Sequence, residues 1–401
     1  MNFPPMMTEG SSRASRFASS LPASGWEPVV IACHRIPGAE AEQFPFEVYY
    51  AGSEFSGEES DAEQLFRFVH GFPLKSHSFL KRSAGAVRPG GNAEEEAWQK
   101  NAASVAAQVL QNNPEIEMIY AQAPPFAPHR LALELSSEYH LPVLFDCVAP
   151  FNADKHEMAI LQSGQCVLMP SREMKEFFIR KYRDKLVRED ISVVRNGYDP
   201  ELCSALVTEE QAGALMRCVF HIENTDGKEL KSFFSGLSNF MESPQVTRGF
   251  FSLAFIGPGY AEVSRYLDKF GLEDLVDAGP VCSHIGELEL CTRADFCCMV
   301  LGKADDYECH VPERLYDLIG MDTSLGGVLP DGLTKQIIHK AGGRTVPIGE
   351  EKGIVDFLHD TLNLRYSGQL PAVPEPVAVE YDFRSAKQDF LKVLADRLPL
   401  I

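Results

Sequence analysis

The feature that most constrains this chain is the strict alternation of short apolar runs with longer amphipathic stretches. PVLFD, QCVLMP, RCVFHIE, FFSLAFIG and DFCCMVLG each hold three to six consecutive apolar residues, as a strand buried on both faces does. Between them lie PHRLALELSSEYH, SREMKEFFIRKYRD, KELKSFFSGLSNFME and YAEVSRYLDKFG, whose apolar residues recur at helical spacing. Strands separated by helices predict a parallel sheet covered by helices on both sides. The pattern runs twice, and 401 residues suit more than one such unit. It opens with the helix SSRASRFASSLPASG and the strands WEPVVIAC and QFPFEVYY, then the helix AEEEAWQKNAASVAAQVLQ and the strand MIYAQAP. The first cycle closes at ISVVRNG, and the second ends in RTVPIG, the helix GIVDFLHDTLN, the Pro-rich PAVPEPVAV and the helix YDFRSAKQDFLKVLADRL. The segment LVDAGPV is expected to be a strand, and the basic, Gly/Pro-bearing stretch from 60 to 94 a long loop or a helix with a mobile flank.

Two doubly wound α/β halves are therefore expected, joined near 197–215, with a ligand cleft at the C-terminal ends of their strands. Charge narrows the ligand. There are 57 acidic and 37 basic residues, a formal net charge of −20, which repels nucleic acid and anionic membrane as bulk partners. No apolar run approaches the roughly 20 residues that cross a bilayer, and MNFPPMMTEGSSRASRF lacks the apolar core of a secretory signal. The ten cysteines form no C-x-x-C, and Cys297 and Cys298 read as small buried hydrophobes. A reducing cytoplasm and no metal or organic cofactor are expected. The G-x-S-x-G elbow and the G-x-x-x-x-G-K-[ST] phosphate loop are both missing, which takes most of the support from the hydrolase and nucleoside-triphosphatase classes.

Several positions can carry ligand chemistry. Gly257 and Gly259 lie between a strand and a helix, where glycine lets backbone N–H groups approach phosphate, although Pro258 removes one donor. Ser11, Ser12, Arg13 and Arg16 sit at a helix start, which suits an anion or a sugar and equally suits N-capping. His129 falls in the first turn of a helix after a strand, facing the expected cleft. In HVPERLYDLIG, Pro312 opens a helix, and Arg314 and Asp317 share its face, where an acidic side chain can accept from a ribose hydroxyl pair. Asn196-Gly197 is either an ordinary turn or the hinge between the halves.

Taken in order, these segments resemble the GT-B nucleotide-sugar glycosyltransferases, in particular the bacterial family-4-like retaining group that acts on surface polysaccharides. The resemblance is carried by FPPMMTEGSSRASRFASSLPASGWEPVVIAC, APPFAPH, PVLFDCVAPF, VLMPSREMKEFF, ISVVRNGYDP, FIGPGY, VPERLYDLIG, LPDGLTKQIIHKAGG and YDFRSAKQDFL, over nearly the whole chain. It implies an N-terminal Rossmann-like acceptor domain over 1–197, a nucleotide-sugar domain over 198–378, and a last helix over 379–401 that packs back on the first domain. It implies that Gly10, Ser11, Ser12 and Arg13 approach the donor phosphates or the acceptor, and that Gly257, Gly259, Pro312, Asp317 and Thr334 line the nucleotide site. His129, Asp146, Lys228 and Arg314 are the implied catalytic residues, with Asp317 on the ribose and Lys228 and Arg314 on the departing diphosphate.

The chain departs from that pattern in four places. MNFPP corresponds to the loop after the family's first strand, so that strand is either absent or lies upstream of Met1. Val148 and Ala149 replace an Arg and an Asp beside Asp146. The family's Gly-rich phosphate loop reads HIENTDGK, which brings Glu223 near the expected diphosphate. The stretch from Phe151 to Cys166 is short. The expected activity is transfer of a sugar from a nucleoside-diphosphate sugar to a saccharide or lipid-linked hydroxyl acceptor, without metal. The rivals are a non-catalytic GT-B binding or scaffold protein and a two-domain sugar-nucleotide epimerase. Lys75, Lys81, Arg82 and Arg88 beside Phe72, Leu74 and Phe79 allow at most weak peripheral membrane contact.

Overall fold

Strands that carry apolar residues on both faces need a helical layer on each side, and that demand sets the architecture. A computed structural model describes residues 11–32, 44–51, 93–153, 155–206, 215–257, 260–276, 284–303 and 307–397. The chain opens with α1 (Ser11–Ser20), β1 (Val29–Ala32), β2 (Glu47–Tyr50) and α2 (Ala93–Asn112). It continues through β3 (Ile119–Ala123), α3 (Ala127–Tyr139), β4 (Val143–Cys147), α4 (Lys155–Leu161), β5 (Cys166–Met169), α5 (Arg172–Lys181) and β6 (Ile191–Val193). Helix α6 (Pro200–Leu206) leads to β7 (Met216–Glu223), α7 (Gly227–Met241), β8 (Phe251–Ile256), α8 (Tyr260–Phe270), α9 (His284–Thr292) and β9 (Phe296–Leu301). Then come α10 (Glu313–Gly320), β10 (Leu325–Val328), α11 (Leu333–Lys340), β11 (Arg344–Val346), α12 (Glu351–Tyr366), α13 (Glu375–Glu380) and α14 (Phe383–Arg397).

Two sheets dominate, and all their pairings are parallel. The first has the order β3-β4-β5-β6, and the second β11-β10-β9-β7-β8. Strands β1 and β2 pair separately, with Val29 opposite Glu47 and Ala32 opposite Tyr50. Alternation along β9 sends Cys298 to one face of the second sheet and Cys297 to the other, each inside an apolar cluster. Both thiols therefore pack as small hydrophobes, and burial pushes them well above the ordinary thiol range.

Several helix starts have a local cause. Ser171 accepts the Met174 N–H at 3.0 Å at the head of α5. Asp226 and Glu229 close a reciprocal capping box at the head of α7. The Pro-rich link contains α13, because proline is tolerated in a first turn where N–H groups lack helical partners. Of LVDAGPV only Val276 meets a strand, bridging Leu253, and 277–283 lie outside the described residues. The 60–94 stretch is described only from Ala93, so the loop or helix and the membrane contact expected of it also lie outside. Among the described residues no helix is long and apolar enough to cross a membrane.

The chain crosses between the halves twice, side by side. Tyr198 bridges Asp382, and the Tyr198 and Phe383 N–H groups donate to the Tyr381 and Tyr198 carbonyls at 2.9 Å each. Beyond the second crossing, α14 leaves the second half and packs on the first. Phe390 stacks on Phe17 of α1 at 4.3 Å between ring centroids, and Phe383 lies 5.2 Å from the same ring. Gly197 marks the crossing because a Cβ there would meet the Tyr381 carbonyl oxygen at 2.6 Å and the Phe383 nitrogen at 2.9 Å. Gly197→Ala is expected to destabilise the protein by about 1–3 kcal/mol through overpacking against backbone, read as a lower midpoint in urea titration with little change in slope.

Candidate functional site

The C-terminal ends of the two sheets face each other. The segment after β9 spans the gap: Cys309 is buried in the cluster formed by Phe126, Phe145 and Phe151 of the first half. On the rim, the exposed side chains of Arg180 and Glu308 stand 3.8 Å apart. Three groups of charged side chains gather around this junction.

The first centres on Asp146 at the end of β4. Arg13 reaches it from α1, with Nε at 2.7 Å and Nη2 at 3.2 Å, and Tyr120 donates its hydroxyl at 2.5 Å. Arg13 also donates to the Arg195 and Val194 carbonyls, each at 2.8 Å. Neither ion-pair side chain reaches solvent. Four of the five guanidinium N–H groups are engaged, so Arg13 serves as a bolt between α1, β4 and the chain leaving β6. Arg13, expected to approach the donor phosphates, is instead buried here and engaged by Asp146 and two backbone carbonyls. Asp146 is likewise enclosed. His129 is also fully buried, its Nε2 3.0 Å from the Ala121 carbonyl and its ring edge-on to Phe145. Burial lowers its pKa to about 4, so it is neutral at pH 7 and is shut away from a phosphate.

The second group surrounds Asp317 on α10. Arg16 donates to its Oδ1 at 2.8 Å and to the Gly197 carbonyl at 2.5 Å, linking α1 to the second half. Arg314 lies 3.2 Å from Asp317 Oδ2 and 3.2 Å from His284 Nδ1, and makes a short contact with Glu287. Burial alone would raise the Asp317 carboxyl; Arg16, then His284 and Arg314, hold it below its usual value. Burial, reinforced by Arg314, lowers His284 to about 4. The structure brings Arg314 and Asp317 together as expected, but as partners. Arg314, expected at the diphosphate, is buried here between the carboxylates of Glu287 and Asp317. Asp317 faces Arg16 where a ribose was expected.

The third group lies at the end of β7. Glu223 accepts from His221 Nε2 at 3.0 Å, His310 Nε2 at 2.9 Å and Asn224 Nδ2 at 3.1 Å. Although burial opposes ionisation, the two histidines hold this carboxyl far below the usual range. Gly257 has φ +91°, and a Cβ on it would lie 2.9 Å from the His221 ring, so only glycine lets the ring seat there. Gly302 locks the loop after β9 onto the loop after β7, since a Cβ would fall 2.0 Å from the Asn224 carbonyl oxygen. Glu229 stitches the same loops, accepting from Asp226 N and Lys303 N, each at 2.9 Å.

Asp226 takes the Lys228 and Glu229 N–H groups at 2.8 Å each, so the first turn of α7 offers those donors to its own cap. Lys228 itself points outward, exposed, and so does Lys303 across the interlocked loops. Thr334 donates to the His310 carbonyl at 2.7 Å, so it positions the histidine loop and is buried away from a ligand. Pro312 caps α10, its carbonyl accepting from Leu315 N at 3.1 Å. Ser11 and Ser12 stand in the first turn of α1, while Gly10 and Gly259 lie outside the described residues.

His221, His284, Glu287, His310 and Lys303 were not singled out from sequence. One signal was available: His221 and Glu223 are two apart on a strand and therefore share a face. The others meet across 27 to 87 residues of chain, which no local pattern encodes.

No family model matches the chain, and no curated protein matches it. Solved structures do. Sucrose-phosphate synthase from Thermosynechococcus elongatus superposes with a TM-score of 0.66 at 12% identity, covering 98% of this chain and 95% of that one. A glycosyltransferase from Rickettsia africae gives 0.61 at 11% identity, covering 98% of each. Anabaena HepE in complex with UDP gives 0.52 at 14% identity, over 73% of this chain and 82% of its own. The fold is GT-B: two Rossmann-like halves across a cleft, with the last helix returning to the first.

Two outcomes test this electrostatic arrangement. Arg13→Met leaves Asp146 buried and uncompensated and is expected to cost about 3–5 kcal/mol, whereas the double variant with Asp146→Leu regains much of it; chemical denaturation of the three proteins separates them. The histidines set the acid response. Because the folded pKa of His129 and His284 lies below the ordinary 6.5, the unfolded chain binds more protons, so stability is full above pH 6.5 and falls as pH drops toward 4. Glu223 adds its loss only below the ordinary 4.5. Between pH 6.5 and 5, His129→Leu is expected to flatten the slope of unfolding free energy by up to one proton.

Proposed function

We propose that this chain is a retaining, metal-independent glycosyltransferase of the bacterial family-4-like type. It would move a sugar from a nucleoside-diphosphate sugar to the hydroxyl of a saccharide or lipid-linked acceptor, in the cytoplasm, in the making of surface polysaccharide or glycoconjugate. One observation carries this reading: in a GT-B fold spanning the chain, exposed Lys228 and Lys303 stand on interlocked loops at the C-terminal ends of β7 and β9. That is where ligands bind in doubly wound sheets. UDP in the HepE complex supports the ligand class.

In this reading the bond between the sugar and the diphosphate breaks, the acceptor oxygen takes its place at the sugar carbon, and the acceptor proton departs. The protein's task is to stabilise charge gathering on the diphosphate. Lys228 and Lys303 do so from opposite loops, whose spacing is fixed by Gly302 and Glu229. Asp317 meets a ribose only when Arg16 withdraws, so binding is coupled to separation of α1 from α10. Closure of the halves then excludes water, which would hydrolyse the donor.

A second reading is favoured by a specific observation. Arg13, Arg16 and Arg314 are matched by buried carboxylates, and the carboxylate of Glu223 occupies the floor beside the loops. A protein using this cleft as a binding or scaffold surface would need no net positive charge there. Titration of the purified chain with UDP, GDP and ADP by calorimetry decides. Glycosyl transfer calls for binding of at least one, weakened roughly 10–100-fold in Lys228→Ala/Lys303→Ala by loss of charge-assisted hydrogen bonds. Heat from none of the three removes the transferase reading and leaves the scaffold.

A further inference from the structure

A segment of the first half carries charge opposite to that of the whole chain. From Arg180 to Arg188, at and beyond the end of α5, stand five basic side chains and one acidic one, Asp184, in a chain of net charge −20. All five cations are exposed. The fold holds the start of this run against the cleft. Phe151 and Ala153 follow the C-terminal end of β4; the Phe151 carbonyl accepts from Lys181 Nζ at 3.4 Å, and the Ala153 N–H donates to the Tyr182 hydroxyl at 2.6 Å. Arg180 reaches to within 3.8 Å of Glu308, on the segment that spans the gap between the halves. From this rim the run descends the outer side of the first half. There the Lys185 carbonyl accepts from Gln162 Nε2 at 2.9 Å, just past the end of α4. Glu189 and Asp190, which follow, lead into β6 at the end of the run away from the rim.

We propose that this run docks an anionic saccharide acceptor, one that carries carboxylate or phosphate groups along its length. The role of acceptor rests on the transferase reading; the anion-docking surface does not. The cations of the run are not all committed to the fold. Arg188 is held by Glu176 at 2.8 Å and Arg180 leans on Glu308, but the side chains of Arg183 and Lys185 have no ionic partner among the described residues. Guanidinium and ammonium groups displayed in this way suit carboxylate and phosphate. The acidic remainder of the protein does not cancel them, because at physiological salt the screening length is about 8 Å and an anion on the run feels chiefly the charges beside it. Position supplies the second argument, since a chain leaving the cleft over Arg180 meets Arg183 and Lys185 next. A bilayer fits less well. Helix α5 turns Met174 and Phe178 inward, and Val187 is the one large apolar side chain of the run that is exposed, whereas interfacial binding needs a buried apolar face.

The test is calorimetric titration of the whole chain, without nucleotide, at about 50 mM and about 300 mM salt. The probes are tetragalacturonate, a phosphodiester-linked mannose tetramer and neutral maltotetraose. At least one anionic tetramer is expected to bind at low salt at least about tenfold more tightly than maltotetraose, and to weaken at high salt. Arg183→Glu/Lys185→Glu is expected to weaken it about 10–100-fold. Lys231→Glu/Lys352→Glu, the same change of charge on exposed positions of the second half, is expected to leave it within about twofold. Nucleoside-diphosphate titration of the same proteins keeps the two readings apart. Anionic tetramers bound while no nucleotide binds remove the transferase and leave the saccharide-docking surface standing. Anionic tetramers that bind no better than maltotetraose, or that both double variants weaken alike, overturn the docking surface whatever the nucleotides do. So does binding to phosphatidylglycerol vesicles or to oligothymidylate that Arg183→Glu/Lys185→Glu abolishes while the tetramers stay unbound, which assigns the run to a membrane or to nucleic acid.

Discussion

The pairing of Arg13 with Asp146 is the interaction on which the rest of the junction depends. Two opposite charges are removed from water completely, which is tolerable only because the guanidinium donates to both carboxylate oxygens and two backbone carbonyls. This fixes the rotation of α1 about its own axis. With Arg13 seated, Arg16, three residues on, is delivered to Gly197 and Asp317. Phe17 is delivered to α14 by the same rotation. One short helix thereby touches the first sheet, the crossing segment, the second half and the terminal helix.

The same pairing explains why a chain of net charge −20 holds so many buried cations without gathering a positive interior. Each buried arginine at the junction meets a buried carboxylate, and Glu223 meets two imidazoles. Positive charge that remains available to an anion sits on the outward lysines of the loops. The junction therefore separates two tasks that motif-based expectation assigns to the same residues: the buried arginines hold the halves together, and under the proposed function a ligand is met by the exposed lysines.

Much of the architecture was legible in the sequence, because burial on both faces and helical periodicity are local signals. VLFD and FCCMVL announce central strands, and SREMKEFF announces a capped amphipathic helix. Gly197 as the crossing point was one of two open readings, and only its contact with Tyr381 decides between them. The site was less legible. Arg13, Asp146, Arg314 and Asp317 carry the right chemistry for a phosphorylated sugar, yet what each does depends on a partner far along the chain. Arg13 and Asp146 are 133 residues apart, and Arg16 and Asp317 are 301 apart. Residue type sets what a side chain can do; tertiary proximity selects what it does.

The return of α14 to the first half bears on how the protein is made. Phe390 and Leu394 belong to the apolar cluster that also contains Phe17, Leu144 and Leu168, so one layer of the N-terminal core is supplied by residues near the chain's other end. During synthesis the leading half waits with that layer bare until translation has passed residue 394. A nascent chain halted anywhere in the second half would present this greasy surface to chaperones, and the two halves cannot be severed at the crossing into independently maturing modules.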